Sequence, residues 1–308
     1  MKPIYKILAA SALALTLTAC DDDDETTAAV GTIVDVAVDN GSFTTLVSAL
    51  QATGLDIPLA DNENTFTVFA PTDEAFAKID TTNLTNDELE DILLYHVIPD
   101  AEIDSTKAID AAGTKVTMGN GDEMALSLTG ADLFANLSKI IDPDVQASNG
   151  VIHAIDTVLL PPAEATTPTQ NIVEIAQGDM DLSTLVTALS ATSDLVATLS
   201  DPNGDYTVFA PTNAAFAALP AGTIDALLQN PDGALRDILL KHVRAGSVDS
   251  ITAFTLNGAE VEMANGETVK LEIDSGEFTV DGAKVTIFDI PATNGIIHVI
   301  DAVILLDD

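Results

Sequence analysis

The sequence predicts an α+β protein built from two homologous domains in tandem, and three observations carry that prediction. The first is internal repetition. Thr65-Phe66-Thr67-Val68-Phe69-Ala70-Pro71-Thr72 returns 140 residues later as Asp205-Tyr206-Thr207-Val208-Phe209-Ala210-Pro211-Thr212. Ile92-Leu93-Leu94-Tyr95-His96-Val97 returns as Ile238-Leu239-Leu240-Lys241-His242-Val243, and Asn149-Gly150-Val151-Ile152-His153-Ala154-Ile155-Asp156 as Asn294-Gly295-Ile296-Ile297-His298-Val299-Ile300-Asp301. A period of this length is that of a whole domain and is too long for a solenoid unit. The second observation is the order within each copy, with helical spacing first and strand alternation afterwards. The third is the seam Pro161-Pro162-Ala163-Glu164-Ala165-Thr166-Thr167-Pro168-Thr169, whose three prolines favour an extended, semi-rigid spacer. Domain 1 is therefore expected over residues 31–160, a short linker over 161–170 and domain 2 over 171–308, with the two domains close but retaining some freedom.

Within the first copy, Ser42 to Ala52 places Phe43, Leu46, Val47 and Leu50 at helical spacing, with Ser42 as the expected N-cap. Phe66 to Ala70 is a β-like apolar run halted by Pro71. Thr72 is positioned to cap a second short helix carrying Ala75, Phe76 and Ile79. Leu84 to Leu94 reads as a third helix, with Leu89, Ile92 and Leu93 on one side. After Pro99 the pattern turns to alternation punctuated by glycines, and Gly119-Asn120-Gly121 is a hairpin signal. Val151 to Leu160 is β-branched and almost continuously apolar, as a buried strand should be. Helices packed on antiparallel strands are the expected arrangement in each domain.

The amino terminus reads as a targeting segment. Lys2 and Lys6 precede an apolar run from Ile7 to Leu17 that is too short to span a bilayer permanently. Leu17-Thr18-Ala19-Cys20 resembles the lipobox of bacterial lipoproteins. That resemblance implies that residues 1–19 are removed and that Cys20 is acylated. Cys20 is the sole cysteine among 308 residues, so no disulfide supports the fold. Asp21-Asp22-Asp23-Asp24-Glu25 repels itself and stays extended, which suits a tether over residues 20–30 between the anchor and the folded part.

Eleven basic against 49 acidic residues give a net charge of −38. Such a surface repels phosphate backbones, which argues against nucleic-acid partners. The acids are spread along the chain, which favours a solvated, self-repelling surface over a dedicated calcium site. The apolar content of 47% is ample for two cores.

Thr67-Val68-Phe69-Ala70-Pro71-Thr72-Asp73-Glu74-Ala75-Phe76 resembles the first conserved box of the fasciclin domain, and Asn149 to Asp156 resembles the second. Tyr95-His96 resembles the tyrosine–histidine motif between them. Three ordered motifs, each found twice, cover nearly all of residues 31–308. The resemblance implies a β-sheet wedge flanked by short helices, and a role in adhesion or matrix association. The second copy departs from it by carrying Lys241 where the first has Tyr95.

The residues that could carry chemistry are few. The four histidines fall at equivalent places, His96 with His242 and His153 with His298. On a strand, His153 shares a face with Val151 and Ile155 and points away from Asp156, which suggests a buried, hydrogen-bonded ring rather than a metal ligand or general base. There is no G-x-S-x-G elbow, no phosphate loop and no H-E-x-x-H, so neither an enzyme nor a cofactor is expected. In the fasciclin family an Asp followed by an aliphatic residue just before the second box has been assigned to adhesion. Asp144-Val145 and Asp289-Ile290 keep that pair, and with Tyr95 and His96 they are the candidate binding residues. A turn before a strand, with Asp capping and Pro breaking, accounts for the same acids equally well.

The reading that results is a lipid-anchored extracytoplasmic protein, held at the membrane by its acyl chains. It binds a protein or polysaccharide of the matrix or envelope, through two equivalent contacts. A structural spacer of the cell envelope and, less favoured, a histidine-based metal protein are the alternatives.

Overall fold

The computed structural model describes residues 30–81, 84–162 and 167–306. The expected signal segment, Cys20 and the acidic run after it lie outside the described residues.

Each half is built on one seven-stranded sheet with helices against it. Domain 1 contributes α1 (Ile33–Asn40), α2 (Thr44–Thr53), α3 (Asp56–Leu59), β1 (Phe66–Pro71), α4 (Asp73–Phe76), α5 (Asn86–Leu94), β2 (Val97–Pro99), α6 (Ser105–Asp110), β3 (Thr114–Thr117), β4 (Glu123–Thr129), β5 (Asp132–Ala135), β6 (Ser138–Ala147) and β7 (Gly150–Ile155). Domain 2 repeats the plan with α7 (Ile172–Gly178), α8 (Ser183–Ala191), α9 (Leu195–Leu199), β8 (Tyr206–Pro211), α10 (Asn213–Ala217), α11 (Thr223–Leu228), α12 (Arg236–Lys241), β9 (Val243–Ala245), α13 (Ser250–Thr255), β10 (Glu260–Glu262), β11 (Thr268–Asp274), β12 (Glu277–Val280), β13 (Ala283–Ala292) and β14 (Gly295–Ile300). Between Thr207 and His242 domain 2 holds six residues more than domain 1 does between Thr67 and His96. The stretch corresponding to 77–85 is where α11 and a π-helical turn, Pro231–Leu235, are accommodated.

The sheet orders are β2-β1-β7-β6-β5-β4-β3 and, run from the other edge, β10-β11-β12-β13-β14-β8-β9. The expectation of an antiparallel sheet needs correction. β1 runs parallel to β7 and β8 parallel to β14, so the first and second boxes lie side by side in the centre of each sheet. Buried on both faces, these strands read as continuous apolar runs rather than as alternation.

Several boundaries also differ from expectation. α2 starts at Thr44 and Ser42 does not cap it. Its first amides instead donate to the carboxylate of Asp73, 2.7 Å from the Thr45 N–H, a cap supplied from 28 residues away that no local pattern reveals. α1, with its Thr32–Asp35 capping box, precedes the first expected helix. α6 interrupts the stretch expected to be strands and turns. β7 ends at Ile155, and Val158 and Leu159 are buried beyond it without strand pairing.

The linker does not leave the domains apart. Ala125 and Phe134 of domain 1 belong to the same apolar cluster as Phe254, Phe278 and Ile273 of domain 2. Thr129 Oγ1 donates to the Ile273 carbonyl at 2.6 Å, and Asn257 Nδ2 donates to the Leu128 carbonyl at 3.0 Å. Lys115 lies 3.8 Å from Asp249 across the same seam. Shared apolar burial and these paired polar groups replace the expected freedom with a packed interface.

Candidate functional site

The second box and the acids before it form one constellation in each domain. β6 leaves register with β7 twice, between Ile140 and Asp142 and between Asp142 and Val145, and β13 does the same against β14. The result is a doubled β-bulge. Asp144 and Asp289 sit in it with φ of 63° and 57°, a left-handed conformation that Asp tolerates better than most residues. Each carboxylate reaches back to a helix N-terminus. Asp144 accepts from the Ser105 N–H at 2.7 Å and from the Ser105 hydroxyl, and Asp289 accepts from the Ser250 N–H at 2.8 Å and its hydroxyl. These bonds satisfy an amide in the first turn of α6 and of α13 that the helix itself leaves unpaired.

Behind each bulge lies a buried histidine. The Asp144 N–H donates to His153 Nδ1 at 3.3 Å, so Nε2 carries the proton and donates to the Ile103 carbonyl at 2.7 Å. His298 repeats this with Asp289 at 3.3 Å and Val248 at 2.9 Å. Burial, only partly offset by these bonds and by the nearby carboxylates, keeps both rings below the ordinary histidine pKa.

The other histidine pair has the opposite tautomer. Leu159 N–H donates to His96 Nε2 at 2.9 Å, and Nδ1–H donates to the Ile92 carbonyl at 2.7 Å. His242 accepts from Ile304 N–H at 3.0 Å and donates to Ile238 at 2.7 Å. Burial depresses both to about 4. All four rings are neutral near pH 7 with both nitrogens committed to backbone, which leaves no lone pair for a metal or a substrate proton. Among the described residues no group of three His, Cys, Asp or Glu side chains is placed to hold a metal ion.

Tyr95 and Lys241 occupy the same seat, and both are fully buried. The Tyr95 hydroxyl donates to the Glu123 carbonyl at 2.8 Å and accepts from Asn136 Nδ2 at 3.0 Å. Burial raises it to about 12. In domain 2 the position of Asn136 is taken by Asp281, and Lys241 Nζ lies 3.5 Å from Asp281 and 3.1 Å from Glu267. A neutral hydrogen-bonded pair in one copy is thus an ion-paired cluster in the other.

These placements correct the expected binding set. Tyr95 and His96 are interior and cannot touch a partner on the folded surface. Asp144 and Asp289 are half-buried bulge residues, not free loop acids, and Val145 and Ile290 pack against the helical cores. The exposed side chains of the same bulge are their neighbours. In domain 1 these are Ile141, 49% exposed, with Asp142 and Pro143. The two copies are also not equivalent, because Asp289 lines a crevice against domain 1.

Other repeated residues prove to be architectural. Asn149 accepts from the Ile33 N–H at 2.8 Å and donates to the carbonyls of Leu59 and Asp61, and Asn294 does the same for Ile172, Leu199 and Asp201. The next residue must be glycine. A Cβ on Gly150 would stand 1.9 Å from the Phe66 carbonyl oxygen, and on Gly295 the same distance from that of Tyr206. Thr67 Oγ1 donates to Ala101 and accepts from Ile103, tying β1 to the segment that supports His153. A polar residue retained inside an apolar strand in both copies is the signal by which the sequence marks such positions.

Paired central strands, a bulge over a buried histidine and an Asn-Gly turn define two copies of one α+β domain. The Fasciclin domain family matches the chain over residues 41–161 and 180–306, and the chain belongs to that family as a tandem pair of its domains. The chain is similar to transforming growth factor-beta-induced protein ig-h3 of Sus scrofa, with 30% identity across 81% of this chain and 36% of that protein. It thus spans about a third of that relative's length. It is also similar to protein sll1483 of Synechocystis, 47% identical across 46% of this chain and 76% of that protein. Among solved structures, a FAS1 domain pair from the insect cell adhesion molecule Fasciclin I covers 87% of this chain and 98% of its own, at 18% identity and a TM-score of 0.40.

Proposed function

We propose that this chain is a lipid-anchored extracytoplasmic protein that adheres to, or interacts with, a matrix or envelope partner through its fasciclin domains. The observation that carries the reading is the membership of both halves in the fasciclin family. The lipobox-like Leu17-Thr18-Ala19-Cys20 supports anchoring through an acylated Cys20, and the acidic run after it supports a tether. The net charge of −38 favours a protein or polysaccharide partner with basic or neutral character over nucleic acid. The four histidines, neutral and bonded to backbone, supply no acid–base group, which supports binding rather than catalysis. The docking face proposed is the outer bulge of domain 1, where Ile141, Asp142 and Pro143 are exposed and Asp144 fixes their presentation.

Two measurements test this. Cys20→Ser should release the protein from the membrane fraction, and unchanged membrane association would refute the anchor. Ile141→Ser combined with Asp142→Lys should lower retention of the purified protein on a surface coated with envelope or matrix extract, with circular dichroism unchanged. Undiminished retention by the folded variant would move the docking face elsewhere, and no retention by the wild type would favour a spacer.

A further inference from the structure

Domain 1 meets the bulge face of domain 2 along an open crevice of about 360 Å³. Domain 2 supplies Phe254 and Ser250 from α13, and Phe288 and Asp289 from the bulge. Domain 1 supplies Leu137 and its neighbours between β5 and β6, and Leu159, Leu160 and their neighbours after β7. Phe254 and Phe288 meet edge to face at 5.5 Å, and Phe288 stands edge-on to His298 at 6.1 Å. Among the described residues that line the crevice, the one ionisable side chain is Asp289, whose side chain is 28% exposed. No lysine or arginine lines it.

The other copy serves as an internal control. The Asp–Ser bond is present there too, but the positions of Phe254 and Phe288 are held by Ile109 and Pro143, both exposed and neither aromatic. The phenylalanine pair that lines the crevice with Asp289 therefore has no counterpart beside Asp144.

We propose that this inter-domain crevice is a binding site for a small organic ammonium ion carrying an apolar ring or chain. An ammonium group held at the Asp289 carboxylate beside the Phe254–Phe288 wall of the crevice gains a carboxylate and an adjoining aromatic surface, in a setting partly withdrawn from water. The apolar walls take the remainder of the ligand, and the volume lies in the range of small-molecule pockets. A chain of net charge −38 concentrates cations near its surface and rejects anions. The site is independent of the docking face proposed on domain 1.

The test titrates the intact two-domain protein with benzyltrimethylammonium by calorimetry, with benzyl alcohol and benzoate as neutral and anionic counterparts. Saturable one-to-one binding with a Kd below about 1 mM is expected, at least tenfold tighter than either counterpart. Asp289→Asn should weaken it at least tenfold, whereas Asp144→Asn, the same change in the uncovered copy, should not. Leu160→Arg, at an exposed position on the crevice rim, should also weaken it without lowering the unfolding temperature. This second variant keeps the test sound if Asp289→Asn loosens the bulge. No saturation, equal affinity for benzyl alcohol, or binding unaffected by both Asp289→Asn and Leu160→Arg would overturn the proposal. The last result would mean diffuse attraction to the acidic surface.

Discussion

The backbone N–H of Asp144 donates to Nδ1 of His153 at 3.3 Å while the Asp144 carboxylate accepts from Ser105. One residue therefore couples a β-bulge, a buried ring and the start of a helix, and Asp289 does the same with His298 and Ser250. The coupling changes what a substitution should do. Asp144→Ala removes two charge-assisted bonds and places alanine at φ 63°. A stability loss of about 2–3 kcal/mol follows. Asp144→Asn keeps an acceptor and a side chain that tolerates the left-handed region, so its loss should be about half as large. Denaturant unfolding of the two variants checks this. Equal stability of Asp144→Ala and wild type would mean that the acid is a free surface group.

The pH dependence has a definite sign. Burial holds His96 and His242 at about 4 in the folded state, against about 6.5 for an ordinary imidazole. Between those values the unfolded chain binds more protons than the folded one. Stability therefore rises with pH across that window and is lost as the pH falls from about 6.5 to about 4. The displacement is worth roughly 3 kcal/mol per ring as an upper figure. His153 and His298 are depressed in the same direction and add to it. The lowered carboxylates of Asp35, Glu88 and Asp104 act in a separate, more acidic window. Urea titrations from pH 7.5 to 4.5 should show a midpoint that changes little above about pH 6.5 and falls below it, and a flat midpoint down to pH 5 would contradict the buried neutral rings.

Exchange of the Tyr95 and Lys241 seats tests whether the two copies solve one packing problem in two ways. Lys241→Met leaves Asp281 and Glu267 facing each other without their cation. Because both acids are partly exposed, the cost should be about 2–4 kcal/mol rather than the full price of a buried charge. Lys241→Tyr with Asp281→Asn reproduces the pairing of Tyr95 and Asn136 and should recover most of that loss. Failure of the double variant to exceed Lys241→Met in stability would show that the surroundings, not the pair, set the choice.

Much of the fold is legible in the sequence because its signals are local or repeated. Thr72 caps α4 through the Ala75 N–H, as its position before an apolar pair predicts. The Gly119-Asn120-Gly121 turn joins β3 to β4. His153 is buried on the face it shares with Val151 and Ile155. What escapes the sequence is non-local. The cap on α2 comes from Asp73, the parallel pairing of β1 with β7 joins segments about 80 residues apart, and the bulge that half-buries Asp144 depends on α6. The asymmetry between Asp144 and Asp289 depends on the domain interface and on Phe254 and Phe288 standing where domain 1 has Ile109 and Pro143, so the shared Asp–aliphatic pair ends in different surroundings.

The packed seam between the domains leads to the last prediction. Each half holds its own sheet, with apolar clusters that support it, so cutting the chain between Pro162 and Thr167 should leave two folded pieces. They should not behave as strangers. Phe134 and Ala125 cover the cluster of Phe254 and Phe278, and Thr129 and Asn257 close the seam with bonds to backbone carbonyls. Nicked protein should therefore elute as one particle at micromolar concentration. An isolated fragment 167–308 should unfold at a lower temperature than the same domain in the pair, because Phe254 then faces water. Phe134→Asp places a charge in the shared cluster and should separate the nicked halves, at some cost to domain 1 itself. Asn257→Ala leaves domain 1 untouched and removes the bonds to Leu128 and Thr129. Faster dissociation in this variant therefore isolates the interface from domain 1 stability, although Asn257 also accepts from Ile273 within domain 2. Separation of the nicked wild type into two independent particles would show that the seam is too weak to hold the domains. The bulge of domain 2 would then be as open as that of domain 1, and both copies would be free to dock.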